Sequence, residues 1–330
     1  MLILESFVTR LFFATDIHGS DICWRKFLNA AKFYDVSLLV LGGDMTGKAL
    51  VPISQQADGS FHATLLQQEF ILDDEAAVVD MERKVASRGY YPFRISTQQL
   101  EEFRTDPSLV DREFHRQMQL SLERWLVLAE ERLAGTGVRC FVSPGNDDPF
   151  DIDELLAQST SVTMAEGRHI DLGEGFSMVS SGWANVTPWH TDRELPEDRL
   201  YEYLHAMIPA GFDPAKAIFN FHCPPHASNL DEVSELDAEL NVVNAGHSMV
   251  PAGSTAVRRM IEEFQPLLSL HGHIHEGKGT ARIGRTLAIN AGSLYEQGVL
   301  QGALIDLDAN PKGGLFRTKT HIRSYTLTSG

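Results

Sequence analysis

The chain has 330 residues, of which 43% are apolar and 22% charged, and its formal net charge is −17 at pH 7. These proportions are ordinary for a globular protein, and the length allows a large core. The acidic excess, with no run of Lys and Arg, argues against a general nucleic-acid binder, because such proteins gather basic residues on one face.

The sequence also indicates the compartment. No stretch approaches the roughly 20 consecutive apolar residues that a membrane span needs. The N-terminal apolar run is interrupted by Glu5 and Arg10, and no small-residue cleavage site follows it, so it does not resemble a signal peptide. The cysteines Cys23, Cys140 and Cys223 form no motif and are odd in number, which indicates a reducing environment. We therefore expect a cytoplasmic protein.

Two strand–loop–helix units are predicted at the start of the chain. Residues 7–15 form an apolar run that predicts a buried strand ending at Asp16, and Asp21 is predicted to cap the following helix. Residues 36–41 predict a second strand, which leads to Asp44. Successive units of this kind imply parallel strands joined by right-handed crossovers, with ligands gathered at the carboxyl ends of the strands.

The next stretch, between Asp44 and Asn146, is longer than one crossover needs. Asp58-Gly59 is a strong hairpin signal between two strand-like segments. Residues 73–87 predict an acidic helix, and an apolar stripe over 118–133 predicts a long one.

We interpret the segment at about 48–115 as an insertion in a single domain that spans 1–330. One reading makes it a cap or a subunit contact, through which the chain forms a homo-oligomer. The other reading makes it a surface elaboration with no role at the site. We expect it to affect substrate range or assembly rather than metal binding.

The second half of the chain predicts further strands and one more helix. Brief β segments over 161–164, 169–172 and 176–180 are expected to form an antiparallel second sheet. The helix is expected over 257–264, capped by Ser254 or Thr255. The remaining strands are predicted over 138–143, 216–221 and 267–271, and Ile283-Gly284-Arg285-Thr286 predicts a tight hairpin.

Five short segments place metal-ligand side chains where predicted strands end. Their carboxylates and imidazoles suit zinc, iron or nickel, and manganese tolerates the same mixture of oxygen and nitrogen. An amide such as that of Asn146 adds a neutral oxygen, which keeps the site attractive to phosphate. Gly42 and Gly43 are expected to let the backbone approach an ion closely, since neither has a Cβ. The segments are Asp16-Ile17-His18, Gly42-Gly43-Asp44, Gly145-Asn146-Asp147-Asp148, His222-Cys223-Pro224-Pro225 and Gly272-His273-Ile274-His275-Glu276.

The order, ligand types and internal spacing of these segments resemble the calcineurin-like metallophosphoesterases, over roughly residues 8–293. The Gly-Asn-x-Asp segment is similar to a prokaryote-type branch of that superfamily. The resemblance implies an α/β fold of two packed mixed β-sheets flanked by helices, in four layers. It also implies hydrolysis of a small phosphodiester or phosphomonoester through a metal-bridging hydroxide.

The resemblance further implies two divalent metal ions, among Mn, Fe, Ni and Zn, with Mn favoured. Asp44 would bridge the two ions. One ion would take Asp16, His18, Asp44 and His275, and the other would take Asp44, Asn146, His222 and His273.

The chain departs from the superfamily pattern at Asp147, where most members have the His that donates a proton to the leaving group. Asp147 and His226 are therefore the candidate catalytic residues, and His190 is a weaker candidate for the acid. His271 is expected to be a core histidine. The alternative function is a metal-bearing, non-catalytic scaffold that binds a partner protein. The complete ligand set favours the enzyme, whereas Asp147 favours the scaffold.

Overall fold

The computed structural model describes residues 8–311 and 321–330. Its α-helices are α1 (Asp21–Phe33), α2 (Glu75–Ala86), α3 (Thr97–Thr105), α4 (Pro107–Leu133), α5 (Ile152–Gln158), α6 (Glu197–Ala206) and α7 (Thr255–Phe264). Short 3₁₀ turns lie at Pro214–Lys216, Val243–Gly246, His275–Gly277 and Tyr295–Gln297.

The strands of the first half of the chain are β1 (Val8–Ala14), β2 (Leu38–Leu41), β3 (Leu50–Gln55), β4 (Phe61–Leu65), β5 (Gln68–Leu72), β6 (Tyr91–Ser96), β7 (Arg139–Val142) and β8 (Thr163–Met164). Those of the second half are β9 (Arg168–Gly173), β10 (Phe176–Ser181), β11 (Ala184–Asn185), β12 (Glu194–Leu195), β13 (Ala217–Phe221), β14 (Glu232–Ser234), β15 (Met249–Pro251), β16 (Leu268–His271), β17 (Gly279–Ile283), β18 (Thr286–Asn290), β19 (Gln301–Asp308) and β20 (Ile322–Ser329).

Two six-stranded mixed sheets form the centre of the molecule. The strand order of the first sheet is β20-β19-β1-β2-β7-β8, and that of the second is β17-β18-β16-β13-β10-β9. In the first sheet the adjacent strands β1, β2, β7 and β8 are parallel to one another. In the second sheet the adjacent strands β10, β13, β16 and β18 are parallel to one another. The remaining pairs at the outer edges are antiparallel.

The sheets pack face to face, with helices on their outer faces, so the fold is α/β in four layers. Alternation along β1 shows the arrangement, because successive side chains of a strand point to opposite faces. Leu11 and Phe13 belong to the cluster between the sheets, whereas Phe12 and Ala14 belong to the cluster that includes helix residues of α1 and α4. Residues of α6 and α7 cover the outer face of the second sheet. The expected fold class is confirmed.

The predicted insertion contains a sheet of its own. Its strand order is β5-β4-β3-β6, and residues of this sheet and of α2 share a separate apolar cluster. The hairpin predicted at Asp58-Gly59 is the β3–β4 connection. Helix α4 begins at Pro107, so the interval 48–115 includes its first turns, whereas the apolar stripe from Met118 onward packs into the core that α1 shares.

Three local expectations need correction or refinement. The cap of α1 is Ser20, whose hydroxyl accepts from the Cys23 amide, and not Asp21, which is the first helical residue. The segment that contains β8 was expected in the second sheet, but β8 lies in the first, parallel to β7. Ser254, and not Thr255, caps α7. Residue 7, at which the first strand was predicted to begin, lies outside the described residues.

In the described part of the chain, no helix combines the length and apolar character needed to cross a membrane. Cys23, Cys140 and Cys223 are all buried and free.

Candidate metal centre

The candidate ligands of both sheets meet at one edge of the sandwich. Asp16, Asp44 and Asn146 follow β1, β2 and β7 of the first sheet, and His222 and His273 follow β13 and β16 of the second. These strands are parallel within each sheet, so their carboxyl ends lie side by side.

One cluster is made by Asp16, His18 and His275, which offer ligand atoms within 4.8 Å of one another. The Nε2 atoms of the two histidines are 3.0 Å apart, and His275 Nε2 is 3.5 Å from Asp16 Oδ1. Two ligands on one ion, with bonds of about 2.1 Å, are separated by about 3 Å. The spacing therefore fits a shared cation.

A second cluster is made by Asp44, His222 and His273, again within 4.8 Å of one another. His222 Nε2 is 3.3 Å from Asp44 Oδ2, and His273 Nδ1 is 2.8 Å from Asn146 Oδ1. Asp44 also approaches the first cluster, because its Oδ2 is 3.6 Å from His18 Nε2. The Asp44 carboxylate thus lies between the two clusters.

The chemistry of this pocket fits cations. His222 Nε2 is buried and has no hydrogen-bond partner among the described residues, which is costly for a polar atom unless another partner is present. Burial lowers the pKa of His222, but Asp44 and Asp16 raise it more, to about 10. The two carboxylates therefore favour positive charge at His222, whereas burial lowers the pKa of His18 and His273 and so favours neutral imidazoles there. The mixed imidazole and carboxylate donors are those that zinc, iron, nickel and manganese accept.

The backbone around the ligands is strained in a way that is common at functional sites. Asp16, His18, Asp44 and His273 all have positive φ, between 38° and 64°, a region that residues other than glycine rarely adopt. Such conformations persist only where the surroundings hold them. Four candidate ligands share this unusual geometry.

Gly43 makes room for a ligand rather than for the ion itself. A Cβ at this position would lie 2.2 Å from His222 Nδ1, and its φ of +134° is also a glycine conformation. The imidazole is held there because Nδ1 lies 3.0 Å from the Gly42 carbonyl oxygen. A hydrogen bond of this kind fixes the ring so that Nε2 faces the pocket. The close approach that the structure shows at Gly43 is to His222, and a Cβ on Gly42 would meet the Phe13 ring at 2.5 Å.

Asp148 is an important residue that sequence reasoning left without a role. Its buried carboxylate accepts from the backbone amides of Met45, Thr46 and Gly145, and from the Thr46 hydroxyl, at 2.7–3.1 Å. It therefore ties the loop that carries Asp44 to the loop that carries Asn146. In the sequence, only its place in the Gly-Asn-x-Asp segment indicates that Asp148 belongs near the site.

Other hydrogen bonds orient the ligands in the same way. Thr15 Oγ1 donates to Asp16 Oδ2 at 2.7 Å, and Asn146 Nδ2 donates to Thr191 Oγ1 at 2.8 Å. The second bond turns Asn146 Oδ1 toward His273. Thr191 in turn donates to Glu194 at 2.7 Å. Neither Thr191 nor Glu194 lies in a recognisable motif.

Asp147 lies beside the two clusters. Its carboxylate offers an atom within 4.8 Å of ligand atoms of His18 and Asp44, and Lys48 Nζ is 2.7 Å from its Oδ2. Burial and the neighbouring Asp44 raise the pKa of Asp147, whereas Lys48 lowers it. Lys48 was not selected from the sequence, because a lone lysine after a strand carries no signal.

The other histidines are separate from these clusters. His226 Nδ1 is 3.9 Å from Asp231 Oδ2, and within the described residues His226 belongs to no group that could hold a metal. His190 is exposed, one residue before the Thr191 that holds Asn146. His271 is buried in the core, as expected, with Nδ1 2.7 Å from the Phe221 carbonyl oxygen.

The predicted insertion packs directly against the loop that carries His18. Ser20 Oγ donates to the Ser87 carbonyl at 2.8 Å, and Tyr91 accepts from the Gly47 amide at 2.7 Å through its hydroxyl. A Cβ on Gly89 would lie 2.2 Å from the His18 carbonyl oxygen. The 87–91 segment therefore supports the site from one side.

The chain matches no protein-family model. It is 28% identical over 150 residues to an uncharacterized protein of Methanocaldococcus jannaschii; the match covers 44% of this chain and 61% of the length of that relative. One solved crystal structure overlays on 91% of this chain and 95% of its own, with a TM-score of 0.52 and 16% identity. That likeness shows the fold alone.

More distant solved structures overlay with lower scores. The protein TT1561 of Thermus thermophilus has a TM-score of 0.48 and 12% identity, over 92% of this chain and all of its own. A predicted phosphoesterase from Streptococcus pneumoniae TIGR4 has a TM-score of 0.31 and 8% identity, over 98% and 99% of the two chains.

Proposed function

We propose that the protein is a dinuclear-metal-dependent phosphoesterase that hydrolyses a small phosphodiester or phosphomonoester. The observation that supports this proposal is the pair of adjacent donor clusters, with the Asp44 carboxylate of one lying 3.6 Å from His18 Nε2 of the other. A binding scaffold has no need of two complete and adjacent sets of donors, whereas in-line displacement at phosphorus uses two cations side by side.

In this proposal Asp16, His18, Asp44 and His275 hold one divalent ion, and Asp44, Asn146, His222 and His273 hold the other. Bound metal ions of this kind supply a nucleophilic hydroxide and neutralise the oxygens of the phosphoryl group. Manganese is the favoured ion, because it accepts both carboxylate and imidazole donors.

The chain's own residues prepare the pocket. Asp44 supplies the negative charge that allows two like charges to lie close together. Asn146, whose amide is fixed by Thr191, contributes an uncharged oxygen, so the loaded site keeps net positive charge for a phosphate. Asp148 fixes the two loops relative to each other.

The test is a metal reconstitution. Protein stripped of metal and reloaded with Mn²⁺ is expected to bind two equivalents and to hydrolyse members of a panel of phosphomonoesters, aryl phosphodiesters and cyclic nucleotides. His115→Ala, which removes an exposed histidine of α4, is the control and should leave both properties unchanged. Binding of two equivalents without turnover of any substrate class would reject the enzyme.

A scaffold that binds a partner protein is the second candidate. It is favoured by one observation, the presence of an ion-paired Asp147 where the resembling superfamily usually has its proton-donating His. Metal binding that is complete but catalytically silent would support this candidate.

A further inference from the structure

Lys48 places a positive charge beside the candidate metal centre. It lies between β2 and β3, its Nζ is 2.7 Å from Asp147 Oδ2, and 44% of its side chain is exposed. Asp147 is itself within 4.8 Å of ligand atoms of His18 and Asp44. Only one carboxylate therefore separates the ammonium group from the donors.

The backbone that carries Lys48 is fixed on both sides of the loop. The Thr46 amide donates to Asp148 at 2.8 Å, and the Gly47 amide donates to the Tyr91 hydroxyl at 2.7 Å. The first contact joins the backbone just before Lys48 to the loop that carries Asn146, and the second joins it to Tyr91 at the start of β6. The side chain therefore starts from a defined position at the rim of the pocket.

The ammonium group of Lys48 is a cationic group among the carboxylates of Asp147, Asp44 and Asp16, and it is the group here that suits an anion. A lysine ammonium has three N–H donors, and the ion pair with Asp147 uses one of them. The same pair cancels the charge of Asp147, which would otherwise repel a phosphate approaching the centre. Among the described residues the ammonium group has no second hydrogen-bond partner, so its two other donors are free on a side chain that is 44% exposed.

We propose that Lys48 is a substrate-binding residue that contacts a phosphoryl oxygen on the Asp147 side of the site and favours dianionic phosphate over monoanionic phosphodiesters. This inference rests on the proposed function. Lys48 acts by charge and hydrogen bonding and transfers no proton. Asp147 is its positioning residue, which holds the ammonium group when no substrate is bound.

The experiment measures the affinity of the Mn²⁺-loaded protein for inorganic phosphate by calorimetry. Lys48→Met is expected to weaken phosphate binding at least tenfold, and Lys48→Arg is expected to retain most of it. The matched control is Lys84→Met, which removes the same charge from the same insertion, where the ammonium group lies over the Phe70 ring. The control should bind phosphate as the wild type does.

A double variant separates charge from structure. In Lys48→Met the Asp147 carboxylate is left uncompensated, so adding Asp147→Asn should restore part of the lost phosphate affinity. Damage to the fold would not be repaired by a second substitution. The KM for p-nitrophenyl phosphate should also rise more in Lys48→Met than the KM for bis-(p-nitrophenyl) phosphate, because only the monoester is a dianion.

Unchanged phosphate affinity in a Lys48→Met protein that still turns over substrate overturns the inference and leaves the proposed function intact. Loss of a metal equivalent in Asp147→Asn also overturns it, because Asp147 would then be a metal ligand rather than the partner of Lys48. A wild-type protein that neither binds phosphate nor hydrolyses any phosphoester rejects the proposed function and the inference together.

Discussion

At the scale of single residues, the site divides into side chains that face the pocket and side chains that hold them. Asp44 and Asp148 illustrate the division, since both are buried carboxylates. Asp44 lies between His18 and His222. The carboxylate of Asp148 instead accepts hydrogen bonds from backbone amides of the neighbouring loop. A buried carboxylate thus has two different roles in these loops: that of Asp44 faces the candidate ligands, and that of Asp148 holds the loop backbone.

This division predicts different effects of the same substitution. Asp44→Asn should abolish binding of two metal equivalents and reduce turnover to background, because the shared negative charge is lost. Asp148→Asn should keep both equivalents but weaken their affinity by about 10–100-fold, the usual effect of removing a partner that orients ligands. Metal titration followed by elemental analysis distinguishes the two. Retention of two tightly bound equivalents in Asp44→Asn would disprove the ligand assignment.

Asp147 leads to a second prediction at this scale. A placed general acid contributes typically 10²–10⁴-fold when the leaving group needs a proton, and a carboxylate paired with Lys48 is not placed to give one. Aryl phosphoesters should therefore be hydrolysed much faster than alkyl esters. Asp147→His should narrow this difference by accelerating the alkyl substrates selectively. Equal wild-type rates on both classes that are lost in His226→Ala would instead assign the acid to His226.

The sequence revealed most of the candidate centre, because its ligands follow apolar strands and both signals are local. It placed Asp148 in a motif without a role for its side chain, and it gave no signal for Lys48. The Met45 amide that Asp148 binds is 103 residues away in the chain, and Asp147, the partner of Lys48, is 99 residues from it. Such contacts depend on how two loops pack against each other, and no local pattern in a single sequence predicts that packing.

At the scale of elements, periodicity predicted the strands and long helices well, whereas pairing was less predictable. The segment containing β8 was placed in the wrong sheet, because two paired residues are too few to show a pattern. The cap of α1 was misplaced by one residue, since Ser20 and Asp21 are both good cap residues and only the Ser20 hydroxyl reaches the Cys23 amide.

The contact between the insertion and the His18 loop can be tested with a matched pair of glycines. Gly89 and Gly59 both lie in the insertion with φ near +90°. A Cβ on Gly89 would meet the His18 carbonyl oxygen at 2.2 Å, whereas a Cβ on Gly59 would have no atom of the described residues within 4 Å. Alanine at either site should cost about 1–2 kcal/mol of backbone strain. Only Gly89→Ala should also weaken metal binding.

Urea unfolding and metal titration of both variants measure these two effects separately. Equal metal affinity in the two alanine variants would show that the insertion does not support the centre. That outcome would agree with the sequence, which predicts an effect of the insertion on substrate range or assembly rather than on metal binding.

At the scale of the whole molecule, the centre joins the two halves of the sandwich. The first sheet contributes Asp16, Asp44 and Asn146, and the second contributes His222 and His273, across a layer of buried apolar side chains. Apolar packing, which has no fixed direction, holds the sheets together between their edges, and a few hydrogen bonds, such as that from Ser180 Oγ to Ser143 Oγ, join them as well. Ions shared between ligands of both sheets would therefore act as cross-links at one edge of the sandwich.

This arrangement predicts where bound metal stabilises the protein. A ligand that binds only the folded state stabilises it by about 2.7 kcal/mol at a concentration 100 times its Kd. Mn²⁺ should therefore raise the melting temperature of the stripped wild type by several degrees but leave that of Asp44→Asn almost unchanged.

Hydrogen exchange should slow at the carboxyl ends of β1 and β2 and also at those of β13 and β16. The β4–β5 hairpin, which lies in the separate apolar cluster of the insertion, serves as the internal reference and should exchange at the same rate with and without metal. Protection confined to one sheet would mean that the ions are not shared between ligands of both sheets.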